Sequence, residues 1–521
     1  MSGRAASALA ELKELDRESR LLEHTAAILN WDQETYMPEG AVEERASQQA
    51  LLQSLVHERN TAPRVGELLE LLGATGAVSD NAGVKPEVDG NRSVPAGLSE
   101  IDAAFIREKR RQYTQATRVP PALVKELAET ASRGQHAWAA ARKANDYDRF
   151  KPWLSSLLRL SREFADALGH DGNRYDALLD QYEPYAKTGE IAEVFTGLRA
   201  GLVDLVQRIA EAPQVDDRLF RRKYPVAAQE AASRRVMTAL GYETSRGRLD
   251  VSAHPFTTTL GGNDIRITTR YDEDQLPSGL FSTIHETGHA LYELGVAPEL
   301  RGTILAEGTS LGIHESQSRM WENMIGRSRQ FWTYWLPELH GYFPEQLGGV
   351  DVETFYRGIN KVEPSLIRVE ADEVTYSLHI IMRFELEQAL LADDLSVDDL
   401  PEAWVEKSRD LLGVVPGDYA SGVLQDVHWS FGAFGYFPTY ALGNLYAAQF
   451  LRVMEREIPD MWESTERGDT GPILSWLREN IHRHGRAKSA GELVQEITGE
   501  PLDARYFLEY LNGKYGELYH L

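Results

Sequence analysis

Residues 281–293, FSTIHETGHALYE, place His285, Glu286 and His289 in the order H-E-x-x-H. Residues four apart on an α-helix lie one above the other, so both imidazoles can reach a single metal ion. Zinc accepts neutral imidazole nitrogen at about 2.0–2.1 Å, and two ligands from one turn leave room for a third ligand and a water. Glu286, next to the first histidine, can face that water as general base. Ser278 and Ser282 offer N-terminal caps, and Ala290, Leu291 and Leu294 continue an apolar face. The competing explanation is chance spacing on a solvated helix face in a chain with 14 His. The helical context of the motif favours the metal.

A third ligand must come from further along the chain. The extended motif with a third histidine is absent, because position 295 is Gly and the chain passes into Ala297-Pro298. The next helical stretch, GTSLGIHESQSRMWEN, offers His314 and Glu315. Adjacent helical residues point about 100° apart, so one of the two should ligate and the other support it. Three other clusters carry reactive groups. His254-Pro255-Phe256 and Asp264-x-Arg266-x-Thr268 lie in a Thr-rich stretch, Arg368 lies in IRVEAD, and His428 lies in GVLQDVHW ahead of SFGAFGYFPTYALG. His428, Tyr436 and Tyr440 could donate hydrogen bonds to a tetrahedral oxyanion. Taken singly, packing explains each: a His-Trp pair is commonly a satisfied core group, and an arginine is commonly in a structural ion pair.

The elements that must hold these residues are helical. Residues 4–70 read as two long helices separated near Pro38 and Gly40, followed by a Gly-, Pro- and Ser-rich insertion over 73–99 that the composition marks as mobile surface. Helices follow over 100–118 and 121–145, and near 189–212 and 226–240. Residues 249–271 break the pattern, with Thr, Val and Ile alternating around Gly261-Gly262-Asn263-Asp264 as in a β-hairpin. Beside a metal helix such a hairpin offers either a backbone edge for an extended peptide or a structural cap. Helical pattern resumes over 278–295, 303–326, 351–359, 370–394, 400–412 and 438–457, with three shorter segments to the C-terminus. The fold class is predominantly α.

Composition limits the partners. The 521 residues include 55 basic and 80 acidic side chains, a net charge of −25, which argues against nucleic acid and anionic membranes. Hydrophobic content of 42% supports a buried core. The absence of cysteine excludes thiolate ligands, so a metal must use His and carboxylates. No stretch approaches 18 uninterrupted apolar residues and the N-terminus has no apolar h-region, so a cytoplasmic location is expected.

Together, HPF, DIRIT, HETGH, HESQS, IRVEAD and GVLQDVHW occur in an order that resembles the thermostable metallocarboxypeptidase family typified by carboxypeptidase Taq. The resemblance implies one all-α catalytic domain over 1–521, two-lobed around a deep groove and similar to angiotensin-converting enzyme and neurolysin. It implies His285, His289 and Glu315 as ligands of one Zn²⁺, which Co²⁺ or Mn²⁺ can replace, and Glu286 as the base. Arg368 would hold the substrate's terminal carboxylate, which suits a guanidinium fork, while His254 and Arg266 would line the peptide channel. A homodimer and release of single C-terminal residues with broad specificity, proline disfavoured, are likewise implied. The 73–99 insertion is longer than is usual in the family. The rival readings are an oligopeptidase or dipeptidase of the same fold and a catalytically silent, zinc-containing peptide-binding protein.

Overall fold

Prolines and short polar side chains divide the chain into its helices. Pro63, Pro121, Pro277, Pro401, Pro438 and Pro472 each stand in a helix's first turn, where a missing N–H leaves no hydrogen bond unmade. Ser99, Ser310, Asp351 and Ser489 cap others by accepting a backbone N–H. The computed structural model describes residues 3–73 and 97–521. Most of the expected 73–99 insertion lies outside the described residues.

Helices α1 (Gly3–Thr35), α2 (Val42–Asn60) and α3 (Pro63–Leu71) open the chain. The two long helices expected over 4–70 are thus three, because Pro63 cannot continue α2 and begins a new one. Next come α4 (Glu100–Arg118), α5 (Pro121–Ala144), α6 (Tyr147–Leu168), α7 (Arg174–Leu179), α8 (Thr188–Glu211) and α9 (Val226–Ala239). After a small sheet follow α10 (Leu276–Gly295), α11 (Leu311–Arg319), α12 (Arg329–Tyr342), α13 (Pro344–Leu347), α14 (Val352–Ile359), α15 (Tyr376–Leu391), α16 (Leu400–Leu412) and α17 (Pro438–Glu457). Helices α18 (Met461–Glu466), α19 (Gly471–Asn480), α20 (Ala490–Thr498) and α21 (Arg505–Tyr519) end the chain. The fold is mainly helical. Among the described residues no helix is long and apolar enough to cross a membrane.

The hairpin expectation was incomplete. Strands β2 (Thr257–Thr259) and β3 (Ile265–Thr269) do pair antiparallel, but β1 (Leu249–Val251) joins β3 on its other side in parallel, giving the order β1-β3-β2. Ile265 and Ile267 are fully buried and pack with Leu249, Ala290 and Leu294, so the central strand seats the sheet on α10. Three other boundaries differ from expectation. Helix α10 begins at Leu276 with Pro277 in its first turn, so Ser278 and Ser282 lie inside the helix rather than at its cap. The 303–326 segment is a 3-10 turn (Ile304–Ala306), then α11, then a π-helical stretch, Met320–Ile325. Arg368 sits in a 3-10 turn (Arg368–Glu370) rather than opening a helix. There Asp372 Oδ1 accepts the N–H groups of Val374 and Thr375, and α15 starts only at Tyr376.

A large core unites the helices from α5 onward, and a smaller one gathers α1, α3 and α4 around Leu12, Leu68 and Phe105. The smaller unit is pinned by a buried ion pair. Lys109 Nζ donates to Asp16 Oδ1 at 2.8 Å, to Asn60 Oδ1 and to Gln112 Oε1, while Asp16 Oδ2 accepts Ile304 N at 2.7 Å. Asp16 therefore ties α1 to α4 and to the turn that leads into α11. Removing one partner leaves the other's charge buried and unpaired, so Asp16→Ala should cost about 3–5 kcal/mol. The Asp16→Leu/Lys109→Met double variant should recover most of that loss. Thermal unfolding checks both, and an equal or larger loss in the double variant contradicts this account.

Candidate metal centre and active site

Helix α10 presents His285 and His289 one turn apart, and close helix contacts bring Glu315 to them. Gly288, inside HETGH, lets α11 approach: a Cβ there would lie 2.7 Å from Ser318 Cα and 2.8 Å from Gln317 O. From α17, a Cβ at Gly443 would lie 2.5 Å from Glu315 Cγ. Glu315 is thus wedged between two helices that both give way with glycine.

His285 Nε2 and His289 Nε2 lie 3.7 and 3.5 Å from Glu315 Oε2, and the three ligand atoms fall within 4.8 Å of one another. Bonds of about 2.0–2.2 Å in a tetrahedral set require donors roughly 3.3–3.6 Å apart, so the three atoms fit one ion. The remaining imidazole nitrogens are occupied. His285 Nδ1 lies 2.8 Å from Glu322 Oε2; His289 Nδ1 lies 2.6 Å from His314 Nδ1, and His314 Nε2 lies 2.7 Å from Glu293 Oε1. Each Nδ1 then donates its proton outward, and each Nε2 lone pair faces the shared point. Of the two open choices for a third donor, the structure puts Glu315 beside both Nε2 atoms and His314 behind His289.

The charges agree with a cation at that point. Burial pushes the His289 pKa down to about 3 against the pull of Glu315, so its imidazole is neutral. For His285 burial is outweighed by Glu315 and Glu322, which favour positive charge there. Burial of Glu315 is outweighed by Arg319, whose Nε donates to Oε1 at 2.7 Å, and by His285, so its carboxyl stays ionised well below the usual range. Glu322 is held down to about 2, with His285 and Arg319 overcoming its burial. Glu286 is buried, which raises its pKa, and Thr257 Oγ1 of β2 donates to its Oε2 at 2.6 Å.

A second polar cluster adjoins this one. Arg319 stacks on the Tyr376 ring at 4.3 Å, and Tyr376 Oη accepts Arg368 Nη1 at 3.1 Å. Arg368 is buried, with Nε and Nη2 at 2.9 and 2.8 Å from Asp426 Oδ1 and the Tyr440 ring 5.0 Å from its guanidinium carbon. His428 Nε2 lies 3.3 Å from Tyr440 Oη, and Tyr436 packs edge-on to Tyr440. Burial lowers His428 to about 4 and raises Tyr436, so both are neutral and protonated for donation. His254 and Arg266 stand apart from both clusters. His254 is exposed ahead of β2, and Arg266 is engaged by Asp264 at 2.8 Å and by the Trp31 ring at 4.3 Å.

Sequence reasoning gave no role to Thr257, Glu293, Arg319, Glu322, Tyr376 or Asp426. Glu322 had a signal, falling seven residues after Glu315 and so on the same helical face. Asp426 lies within LQDVHW, two residues before His428. Thr257 had none, since β2 meets α10 only in the folded chain.

A mainly helical body that brings an H-E-x-x-H pair within reach of a third carboxylate, with a buried glutamate beside them, has the donor set of a metallopeptidase. The model of the carboxypeptidase Taq (M32) metallopeptidase family matches residues 11–515. The chain is 45% identical to thermostable carboxypeptidase 1 of Thermus thermophilus, covering 98% of this chain and 99% of that one. It is 38% identical to carboxypeptidase 1 of Bacillus subtilis, covering 95% of each. The M32 carboxypeptidase of Deinococcus radiodurans R1 superposes with a TM-score of 0.93 at 40% identity, over 99% of this chain and 100% of that one. The chain belongs to the carboxypeptidase Taq (M32) family and is a metallocarboxypeptidase. Because Gly443 holds the gap that Glu315 fills, Gly443→Ala should weaken metal binding by about 10–100-fold. Chelator competition measures this, and unchanged affinity would show that Glu315 keeps its place without that gap.

Proposed function

We propose that the enzyme removes single residues from the free C-terminus of peptides, using one Zn²⁺ held by His285, His289 and Glu315. Bound there, the ion supplies Lewis acidity to the attacking water and to the scissile carbonyl. Glu286 is the base. Its Oε2 accepts the Thr257 hydroxyl, which leaves Oε1 to take the water's proton and pass it to the leaving amine. His428, Tyr436 and Tyr440 are the neutral donors nearest the carboxylate-binding arginine, and they steady the developing oxyanion.

The observation that carries the reading is Arg368, buried and linked through Tyr376 and Arg319 to Glu315. A guanidinium has five N–H donors. Asp426 and Tyr376 occupy one edge and part of Nη1, so the outer Nη1–Nη2 end can receive a terminal carboxylate. Cobalt or manganese would serve in place of zinc, since none of the three ligands is a thiolate. The Phe437 and Tyr440 rings lie 5.7 and 5.0 Å from the Arg368 guanidinium carbon, so uncharged aromatic surface flanks the carboxylate site, which suits broad specificity. His254 and Arg266 belong to the channel walls. Arg266, engaged by Asp264 and Trp31, shapes the channel by its bulk. The chain acts as one catalytic unit in a homodimer, whose mass light scattering will report.

Glu286→Gln should retain the metal and lose about 10²–10⁴-fold in kcat; turnover near the wild-type rate excludes Glu286 as base. A peptide with a free C-terminus should be shortened one residue at a time, with the reaction stopped by a chelator and its amidated twin spared. Equal cleavage of both peptides would favour an internal or dipeptide-releasing enzyme.

A further inference from the structure

Asp426 lies between two arginines, not one. Its Oδ1 faces Arg368, and its Oδ2 accepts Arg383 Nε at 2.6 Å and lies 2.6 Å from Arg383 Nη2. Arg383 is fully buried, donates Nη1 to the His379 backbone carbonyl at 2.8 Å, and stacks on Trp404 at 4.6 Å. Among the described residues Asp426 is the only carboxylate hydrogen-bonded to either guanidinium. Glu387, one turn along α15, hydrogen-bonds Tyr175 Oη, Trp429 Nε1 and Gly435 N rather than either guanidinium, and burial raises its pKa to about 7, so it adds only a partial negative charge near neutral pH. The histidines alongside add no charge: burial, reinforced by Arg383 and Arg368, holds His379 far below its ordinary pKa, and burial likewise lowers His428.

The formal charge of the trio is therefore positive by one. With Arg368 and Asp426 alone it would be zero, a neutral pair with little attraction for an anion. In a low-dielectric pocket that difference decides whether a carboxylate is drawn in or an uncharged amide is tolerated equally. We propose that Arg383 is a specificity-determining residue, which never touches substrate but supplies the positive charge that lets Arg368 select a free C-terminal carboxylate. The inference rests on the reading that Arg368 seats that carboxylate.

The test compares KM and kcat for a free-acid tripeptide across charge variants, with metal content as the check on folding. Arg383→Met should raise KM by about 10–100-fold, the weight of one charged contact, while kcat stays within a few-fold. Arg383→Met/Asp426→Asn again leaves one uncompensated positive charge and should bring KM most of the way back. A purely structural role for Arg383 predicts the opposite, because the second substitution then removes a further buried contact. Failure of the double variant to recover, or an unchanged KM in Arg383→Met, overturns the proposal. Arg368→Gln separates the two readings: if it leaves KM unchanged, the assignment of Arg368 fails, whatever Arg383 does. Should Arg383→Met lose its metal and not fold, Arg383→Lys and Asp426→Asn carry the test. Both keep the trio positive and should hold KM within a few-fold of wild type or below it, and a large rise in both overturns the proposal.

Discussion

The contact of α11 with α10 on one side and α17 on the other is the constraint on which the site depends. A helix pair ordinarily packs with axes 8–10 Å apart, and closer approach needs residues without side chains at the crossing. Gly288 of α10 provides this at Gln317 and Ser318, and Gly443 of α17 at Glu315. The α10 contact sets the separation between Glu315 and the two histidines, and the α17 contact stops Glu315 from swinging away. The π-helical stretch that follows α11 carries Glu322, whose Oε2 lies 2.8 Å from His285 Nδ1. One packing arrangement thus positions Glu315 beside both histidines and Glu322 against one of them.

Charge completes what packing begins. Among the described residues the permanent cations paired with Glu286, Glu315 and Glu322 are Arg319 and Arg327, so this end of the site is formally negative. Burying that excess is costly unless a cation sits among the carboxylates. The Arg368 end carries the opposite excess, and Tyr376 lies between them, stacked under Arg319 and hydrogen-bonded to Arg368. A peptide end has matching polarity, with a carboxylate at its terminus and a carbonyl to be polarised one residue before it. With the peptide end seated as proposed, the two excesses would orient it before any side-chain pocket is consulted.

Much of this was legible in residue order. The i, i+4 spacing of His285 and His289 is a local property of a helix and survives folding unchanged. Helix starts marked by proline, such as α5 and α17, were also local. Glu315 against His314 was not, because a 100° difference in direction on α11 has no meaning until α10 lies beside it. The family resemblance pointed to the glutamate, and the packing of Gly288 on Ser318 shows the physical reason for its placement. Strand β1 escaped notice because a parallel partner cannot be read from a turn, whereas the β2–β3 hairpin announces itself in Gly261-Gly262-Asn263-Asp264. Arg383 lay in a run of apolar α15 residues with no visible reason for a charge. Its reason is Asp426, 43 residues away.

The sheet contributes more than a cap. The order β1-β3-β2 leaves β2 as an edge strand, with one row of backbone groups not used by β3. Thr257, the first residue of that strand, hydrogen-bonds both the Glu286 carboxylate and the Glu286 backbone carbonyl, at 2.6 and 3.1 Å. The edge and the base are therefore held in one register, and neither can shift without the other. A peptide laid along β2 would gain main-chain hydrogen bonds that are indifferent to its side chains. Its only sequence-independent landmark would then be the carboxylate at its end. An enzyme that held backbone on one side and read a terminal charge on the other would have little means of reading side chains, which would give the proposed broad specificity a physical basis.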